Sequence, residues 1–314
     1  MSLINNPLSL KRRTMLKALA AGSLAPSLNA MSDSAVATPN IIRKAIPATG
    51  ELLPVIGMGT WITFNVGNNA QAIDNCRDVL TTFFAMGGSV IDSSPMYGSA
   101  EATLGAVFQR SPSLGRSSLF SASKIWTSST NQGPDQFKNS MQLWNQPNFD
   151  LFQVHNLLNW RAHIKTLQGL KEQGMVRYVG ITTSHGRRHD DFIAIMKAVK
   201  PDFIQVTYNV IDREVEADIL PLAEELGIAV LINRPFQGGR LFDRVADQPL
   251  PKWAGDIACD NWAQLFLKYV VSHPAVTCAI PATSQVAHMK ENMGAQFGEL
   301  PDMAFRQRIA ALFS

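Results

Sequence analysis

Gly88-Ser89-Val90-Ile91-Asp92-Ser93-Ser94-Pro95-Met96-Tyr97-Gly98 is the stretch on which the fold turns. Val90 and Ile91 are β-branched and favour an extended, buried backbone, and they run straight into a carboxylate at Asp92, where a strand gives way to a loop. Upstream, Gly87-Gly88 stands just past a helical pattern at about 70–86, where a left-handed cap favours glycine. Downstream, a second helical pattern covers about 99–110. Helix, glycine, short apolar strand, polar loop and helix together make a βα unit.

The same rhythm extends in both directions. Strands are expected at Ile56–Thr60, Ser89–Ser93, Ser118–Lys124, Phe149–His155, Arg177–Thr183, Phe203–Thr207, Ala229–Arg234 and Val276–Ile280. Helices are expected between and after them at about 70–86, 99–110, 134–145, 159–173, 189–198, 213–226, 258–272 and 285–295. Eight strand–helix pairs predict an α/β fold, a single (β/α)8 TIM barrel, for which about 250 residues suffice. An open doubly wound sheet is the alternative, but it calls for Gly-x-Gly-x-x-Gly after its first strand, and Gly57-Met58-Gly59-Thr60-Trp61 lacks the third glycine.

The chain has 314 residues, 46% of them hydrophobic, and a formal charge of +3. Residues 1–37 hold Lys11, Arg12, Arg13 and Lys17 against Asp33, so the excess sits there and the remainder is balanced. A balanced barrel lacks the basic stripe that phosphate neutralisation requires, which excludes nucleic acid as a partner. No Cys-x-x-Cys or His-Glu-x-x-His spacing occurs, so no metal site is expected. Cys76, Cys259 and Cys278 read as buried thiols. No run approaches the roughly 18 apolar residues of a membrane span.

The first segment reads as an address. Lys11-Arg12-Arg13-Thr14-Met15-Leu16-Lys17 precedes a mildly apolar run from Ala18 to Leu28, and Ala35-Val36-Ala37 offers a small-x-small cleavage site. This resembles a twin-arginine signal peptide over residues 1–37, with the barrel domain at 38–314. It implies passage of an already folded protein through the twin-arginine export machinery to the periplasm. The alternative is a basic tail on a cytoplasmic protein.

Polar groups at the carboxyl ends of barrel strands are the first candidates for chemistry. Asp92 closes the second strand, Tyr97 follows on its loop, Lys124 ends the third strand and His155 ends the fourth. Singly, each has an ordinary reading as a cap, a packing ring, a surface amine or a satisfied core imidazole. Jointly, they sit at the same end of three successive strands.

These residues resemble the catalytic tetrad of the aldo-keto reductase superfamily, over about residues 50–295. Gly59-Thr60-Trp61, the Asp92–Tyr97 loop, Ser123-Lys124-Ile125-Trp126, Val154-His155 and Ile280-Pro281-Ala282-Thr283-Ser284 through His288, Glu291 and Asn292 appear in the family's order. The resemblance implies an NAD(P)H-dependent oxidoreductase that reduces aldehydes or ketones to alcohols. Hydride arriving at a carbonyl carbon leaves charge on oxygen, and a positioned proton donor lowers that barrier. Tyr97 is then the acid, Lys124 the ammonium that depresses its pKa from about 10, Asp92 the anchor of the lysine, and His155 the group that orients the carbonyl.

By the same resemblance Thr182, Thr183 and Gln205 hold the nicotinamide carboxamide, with Thr-Thr replacing the family's usual Ser-Asn. Asn233 stands where relatives commonly carry a stacking aromatic, followed by Arg234, Pro235 and Phe236. Arg234 and Arg240 either reach the pyrophosphate, since guanidinium binds phosphate oxygens bidentately, or are solvated loop arginines. Thr283, Ser284 and the helix N-terminus suit a phosphate, and His288, Glu291 and Asn292 share a helical face by spacing. Ala282 and His288 replace positive residues of some relatives, so NADPH is expected as cofactor with only modest preference over NADH. Trp61, Trp126 and Trp160 either line an apolar pocket or pack loops. A cofactor-binding regulatory or scaffolding barrel with little turnover is the alternative function.

Overall fold

The computed structural model describes residues 40–313, so the leader read at 1–37 lies outside them. An antiparallel hairpin, β1 (Arg43–Ala45) and β2 (Leu52–Pro54), precedes the barrel, and its strands are too short to show a period in the sequence. Eight parallel strands follow: β3 (Met58–Gly59), β4 (Val90–Asp92), β5 (Phe120–Ile125), β6 (Phe149–Val154), β7 (Val176–Thr182), β8 (Phe203–Thr207), β9 (Ala229–Asn233) and β10 (Cys278–Ala279). They are hydrogen-bonded in chain order.

The ring closes between its first and last members. Ile56 bridges Ala279 and Gly59 bridges Ala282 in parallel, and Gly59 N donates to Pro281 O at 3.0 Å. A Cβ on Gly59 would lie 2.9 Å from Ile280 O, so the closure needs a residue without a side chain there. The glycines that fall short of a dinucleotide fingerprint therefore serve barrel closure. This is the expected (β/α)8 TIM barrel.

Around the ring run α1 (Ala70–Ala85), α2 (Ala100–Arg110), α3 (Gly133–Trp144), α4 (Trp160–Glu172), α5 (His189–Val199), α6 (Ile219–Leu226), α7 (Arg240–Val245), α8 (Trp262–Val271), α9 (Val286–Gly294) and α10 (Met303–Ala310). Two boundaries need correction. The helix expected at 213–226 is a short turn at Glu214–Glu216 followed by α6, because Pro221 lacks an N–H and its ring fits only in a helix's first turn. The helix expected from 258 starts at 262, where the Asn261 side chain accepts from Gln264 N at 3.0 Å and Ala258 is left-handed. Helices α7 and α10 carried too little apolar period to be read. Arg306 of α10 is nevertheless buried, donating to Ser272 Oγ at 2.8 Å and Tyr208 OH at 2.5 Å. No described helix is long and apolar enough to cross a membrane.

Strand alternation sorts the core into two bodies. Val90, Phe120, Ala122, Leu151, Tyr178, Phe203, Leu231 and Cys278 fill the barrel interior, with Ile46 and Leu53 of the hairpin region in the same cluster. A larger cluster, including Ile91, Phe152, Val179 and Ile204, lies between strands and helices. All three cysteines are free and buried.

Candidate active site

Counting two residues up each strand from the inner apolar layer gives the site. Val90 leads to Asp92, Ala122 to Lys124, Leu151 to Gln153 and Phe203 to Gln205, so the same pleat that buries the apolar side chains turns four polar ones inward one layer higher. All four are almost wholly buried. Space for Gln153 exists because residue 180 on the neighbouring strand is glycine, where a Cβ would come within 2.9 Å of Gln153 Cγ.

Burial of charge demands pairing, and the layer supplies it. Lys124 Nζ lies 2.5 Å from Asp92 Oδ2 and 2.7 Å from Ser93 O. The other carboxylate oxygen, Asp92 Oδ1, accepts from Gln153 Nε2 at 3.0 Å and Gln205 Nε2 at 3.1 Å. Lys124 then reaches Tyr97 OH at 3.3 Å. Although burial alone lowers the lysine, Asp92 and Tyr97 raise its pKa above the ordinary value. The ammonium is thus fixed by a carboxylate below and presented to a phenol above.

Ser94 caps the turn Pro95–Tyr97, accepting from Met96 N at 3.2 Å, and this turn carries the phenol over the lysine. His155 meets the Tyr97 ring edge-on, with centroids 5.7 Å apart at 88°, and its Nδ1 lies 2.8 Å from Ser94 Oγ. Burial, reinforced by Lys124, holds the imidazole pKa well below its usual value, so the ring is neutral at neutral pH. For Tyr97 the expectation of a depressed pKa is overturned: burial raises it and outweighs the opposing pull of Lys124. The resting phenol is therefore fully protonated at neutral pH.

Tyr97 and His155 open onto a cleft of about 460 Å³ at the carboxyl ends of the strands. Of the residues assigned from sequence, Gly59, Thr60, Trp61, Asp92, Thr182, Gln205, Asn233, Arg234, Pro235, Phe236, Ile280, Pro281 and His288 line it. Thr183, Thr283, Ser284, Glu291 and Asn292 do not. Thr183 Oγ1 is committed to Arg187 O at 2.6 Å, Thr283 Oγ1 accepts from Gln285 N at 3.0 Å, and Ser284 O accepts from Asn75 Nδ2 at 2.6 Å. Asn292 is buried while His288 is exposed, so the expected common face of α9 divides. Asn233 makes no stacking surface: its Oδ1 accepts from Thr207 Oγ1 at 2.6 Å and its Nδ2 donates to Thr183 O at 3.0 Å.

The tryptophans separate too. Trp61 lines the cleft, with the Arg234 guanidinium 6.0 Å from its ring, whereas Trp126 is exposed outside it and Trp160 packs against the core. Sequence reasoning missed Gln153, whose signal was a glutamine inside an otherwise apolar strand. It also missed the cleft-lining Ile62 and His185 on loops, Met96 in the turn Pro95–Tyr97 and Phe242 on the short helix α7, none of which has a periodic signature.

The donor set fits a nicotinamide dinucleotide. Gln205 Oε1 accepts only a long contact, from Asn233 Nδ2 at 3.5 Å, and remains able to accept from a carboxamide. Arg234 lines the cleft and Arg240 does not, and among the described residues neither forms an ion pair with a carboxylate. Burial, then neighbouring Arg240 and Arg187, lower the Arg234 pKa against the opposing pull of Asp212.

A TIM barrel that sets an ammonium between a buried carboxylate and a phenol, beside a neutral imidazole, belongs among the oxidoreductases that act on carbonyl groups. Comparison with known proteins makes the assignment specific: the aldo/keto reductase family profile matches residues 55–311, and the chain belongs to that family. Methylglyoxal reductase YeaE of Escherichia coli K12 is 24% identical over 258 residues, which is 80% of this chain and 88% of that protein. An NADH-specific methylglyoxal reductase of the same organism is 23% identical over 244 residues, covering 66% and 72%. Among solved structures, an aldo/keto reductase from Klebsiella pneumoniae in complex with NADP and acetate superposes with a TM-score of 0.71 at 22% identity, covering 84% of this chain and 93% of the other.

Proposed function

We propose that this chain reduces aldehydes or ketones to alcohols in the cleft above Lys124, with NADPH as cofactor and NADH as the weaker alternative. The observation that carries the reading is the continuous contact from Asp92 through Lys124 to Tyr97, ending beside His155. Thr182, Gln205 and Asn233 would hold the nicotinamide end, Arg234 and Arg240 the pyrophosphate, and His288 the adenosine end. When bound, the reduced nicotinamide supplies the hydride.

The chain's own residues handle the oxygen and the proton. His155, neutral, hydrogen-bonds the carbonyl oxygen and orients it. Tyr97 gives its proton to that oxygen as charge develops. Lys124 stabilises the phenolate left behind, and Asp92 keeps the lysine charged and aimed. A raised phenol pKa keeps the acid loaded at rest, and the ammonium acts at the moment the proton leaves.

The test is consumption of NADPH and of NADH by the purified protein over a panel of aromatic and aliphatic aldehydes and ketones. Turnover is expected with both cofactors, with dissociation constants that differ by less than about a thousandfold, or roughly 4 kcal/mol. Tight cofactor binding without turnover of any carbonyl would replace this reading with a regulatory barrel.

The leader supports a second assignment, to the periplasm through the twin-arginine export machinery. It rests on Lys11-Arg12-Arg13, the apolar run to Leu28 and Ala35-Val36-Ala37. Arg12→Lys combined with Arg13→Lys is expected to retain the protein in the cytoplasm on fractionation of bacterial cells. Undiminished export of the double variant would remove the assignment and leave a cytoplasmic location.

A further inference from the structure

We propose that Ser94 is a positioning residue that fixes the tautomer of His155, placing the imidazole proton on Nε2, where it faces a carbonyl oxygen in the cleft. The proposal rests on the carbonyl-reduction reading above for its purpose, but not for its geometry.

The hydrogens available at Ser94 and His155 decide which atom donates. Ser94 is wholly buried, and its hydroxyl has one hydrogen to donate and two lone pairs to accept. One lone pair takes the Met96 N–H at 3.2 Å. The other contact of Ser94 Oγ among the described residues is His155 Nδ1 at 2.8 Å. If Nδ1 carried the proton and donated to Ser94, the serine hydrogen would be left buried without an acceptor, the more costly way to leave a polar group. The serine must therefore donate, and Nδ1 must accept.

A neutral ring that accepts at Nδ1 carries its hydrogen at Nε2. Neutrality follows from the same surroundings: burial and the nearby Lys124 disfavour the imidazolium. No hydrogen bond from His155 Nε2 occurs among the described residues, and the residue lines the cleft beside Tyr97. In this tautomer the ring offers a donor to a carbonyl oxygen. In the other it would offer a lone pair and repel it. Ser94 thus ties two elements together, since the hydroxyl that caps the Tyr97 turn also sets the histidine at the end of β6.

The deciding measurement is long-range 1H–15N NMR of the full chain labelled at histidine, which distinguishes protonated from unprotonated ring nitrogens. The expected spectrum has His155 Nε2 protonated and Nδ1 bare; a protonated Nδ1 in the parent protein overturns the proposal. Ser94→Ala is expected to shift both ring nitrogens towards averaged values, to lower kcat about tenfold to a hundredfold and to leave cofactor affinity near the parent's. Ser94→Thr, which keeps the hydroxyl, is expected to restore the tautomer. Unchanged ring signals in Ser94→Ala would also overturn it, and if that variant does not fold the parent spectrum still decides. A parent protein with protonated Nε2 but no carbonyl turnover would sink the functional reading while leaving the tautomer assignment standing.

Discussion

Tyr97→Phe lowers kcat by at least about a hundredfold, because loss of a positioned general acid removes a contribution of roughly 10²–10⁴, while cofactor affinity stays close to that of the parent. The reason lies in what the substitution spares. Phenylalanine keeps the ring and its edge-on contact with His155, and it leaves the Asp92–Lys124 pair and the Ser94 cap intact. Only the hydroxyl 3.3 Å from Lys124 is lost. The pH profile of the parent follows from the same geometry. Burial raises Tyr97, so the acid stays protonated until pH exceeds its usual value of about 10. Burial lowers His155, so the neutral ring persists to well below about 6.5. A plateau across neutral pH, falling on the alkaline side, is expected, and a parent-like kcat in Tyr97→Phe would remove the tyrosine from the mechanism.

Where side chains follow a strand's period of two, the sequence was a sufficient guide. Asp92, Lys124 and His155 could be placed at strand ends because each terminates an apolar run, and the barrel then forces such ends to one rim. The limits appear wherever position depends on a partner remote in the chain. Gln153 looked like one more strand residue until Asp92, from two strands away, was seen to accept its hydrogen bond. Tyr97 sits beside an ammonium, as spacing implied, yet how far it is buried depends on loops whose paths no periodicity records, and burial decided the direction of its pKa. Thr183 has the hydroxyl that a carboxamide site needs, but a bend at Ser184–Arg187 takes that hydroxyl for a main-chain oxygen. The residues of α9 share a helical face by count, and packing against α1 and α8 then buries Asn292 while leaving His288 at the cleft.

Asp92→Asn tests the foundation of the site more severely than any change at its rim. The amide is nearly isosteric and its Oδ1 can still accept from Gln153 and Gln205, so what disappears is the negative charge, and with it the acceptor, 2.5 Å from a lysine with no exposure. Removing one partner of a buried ion pair leaves an uncompensated charge and costs about 3–5 kcal/mol, which is roughly 5–15 °C in Tm for a domain of this size. The sign of its pH dependence distinguishes this cause from simple misfit. In the parent, Lys124 is raised above its unfolded value of about 10.4, so its contribution is complete below about pH 10 and fades as pH climbs through the higher folded value. Without the carboxylate, burial prevails and the folded lysine falls below about 10.4, so the variant carries a penalty at neutral pH that shrinks as the amine deprotonates. The stability gap between parent and variant should therefore be widest near neutrality and narrow towards pH 10. Denaturant titrations at several pH values measure it directly, and a gap that stays constant from neutral to alkaline pH would mean that the pair is not what holds this layer of the barrel together.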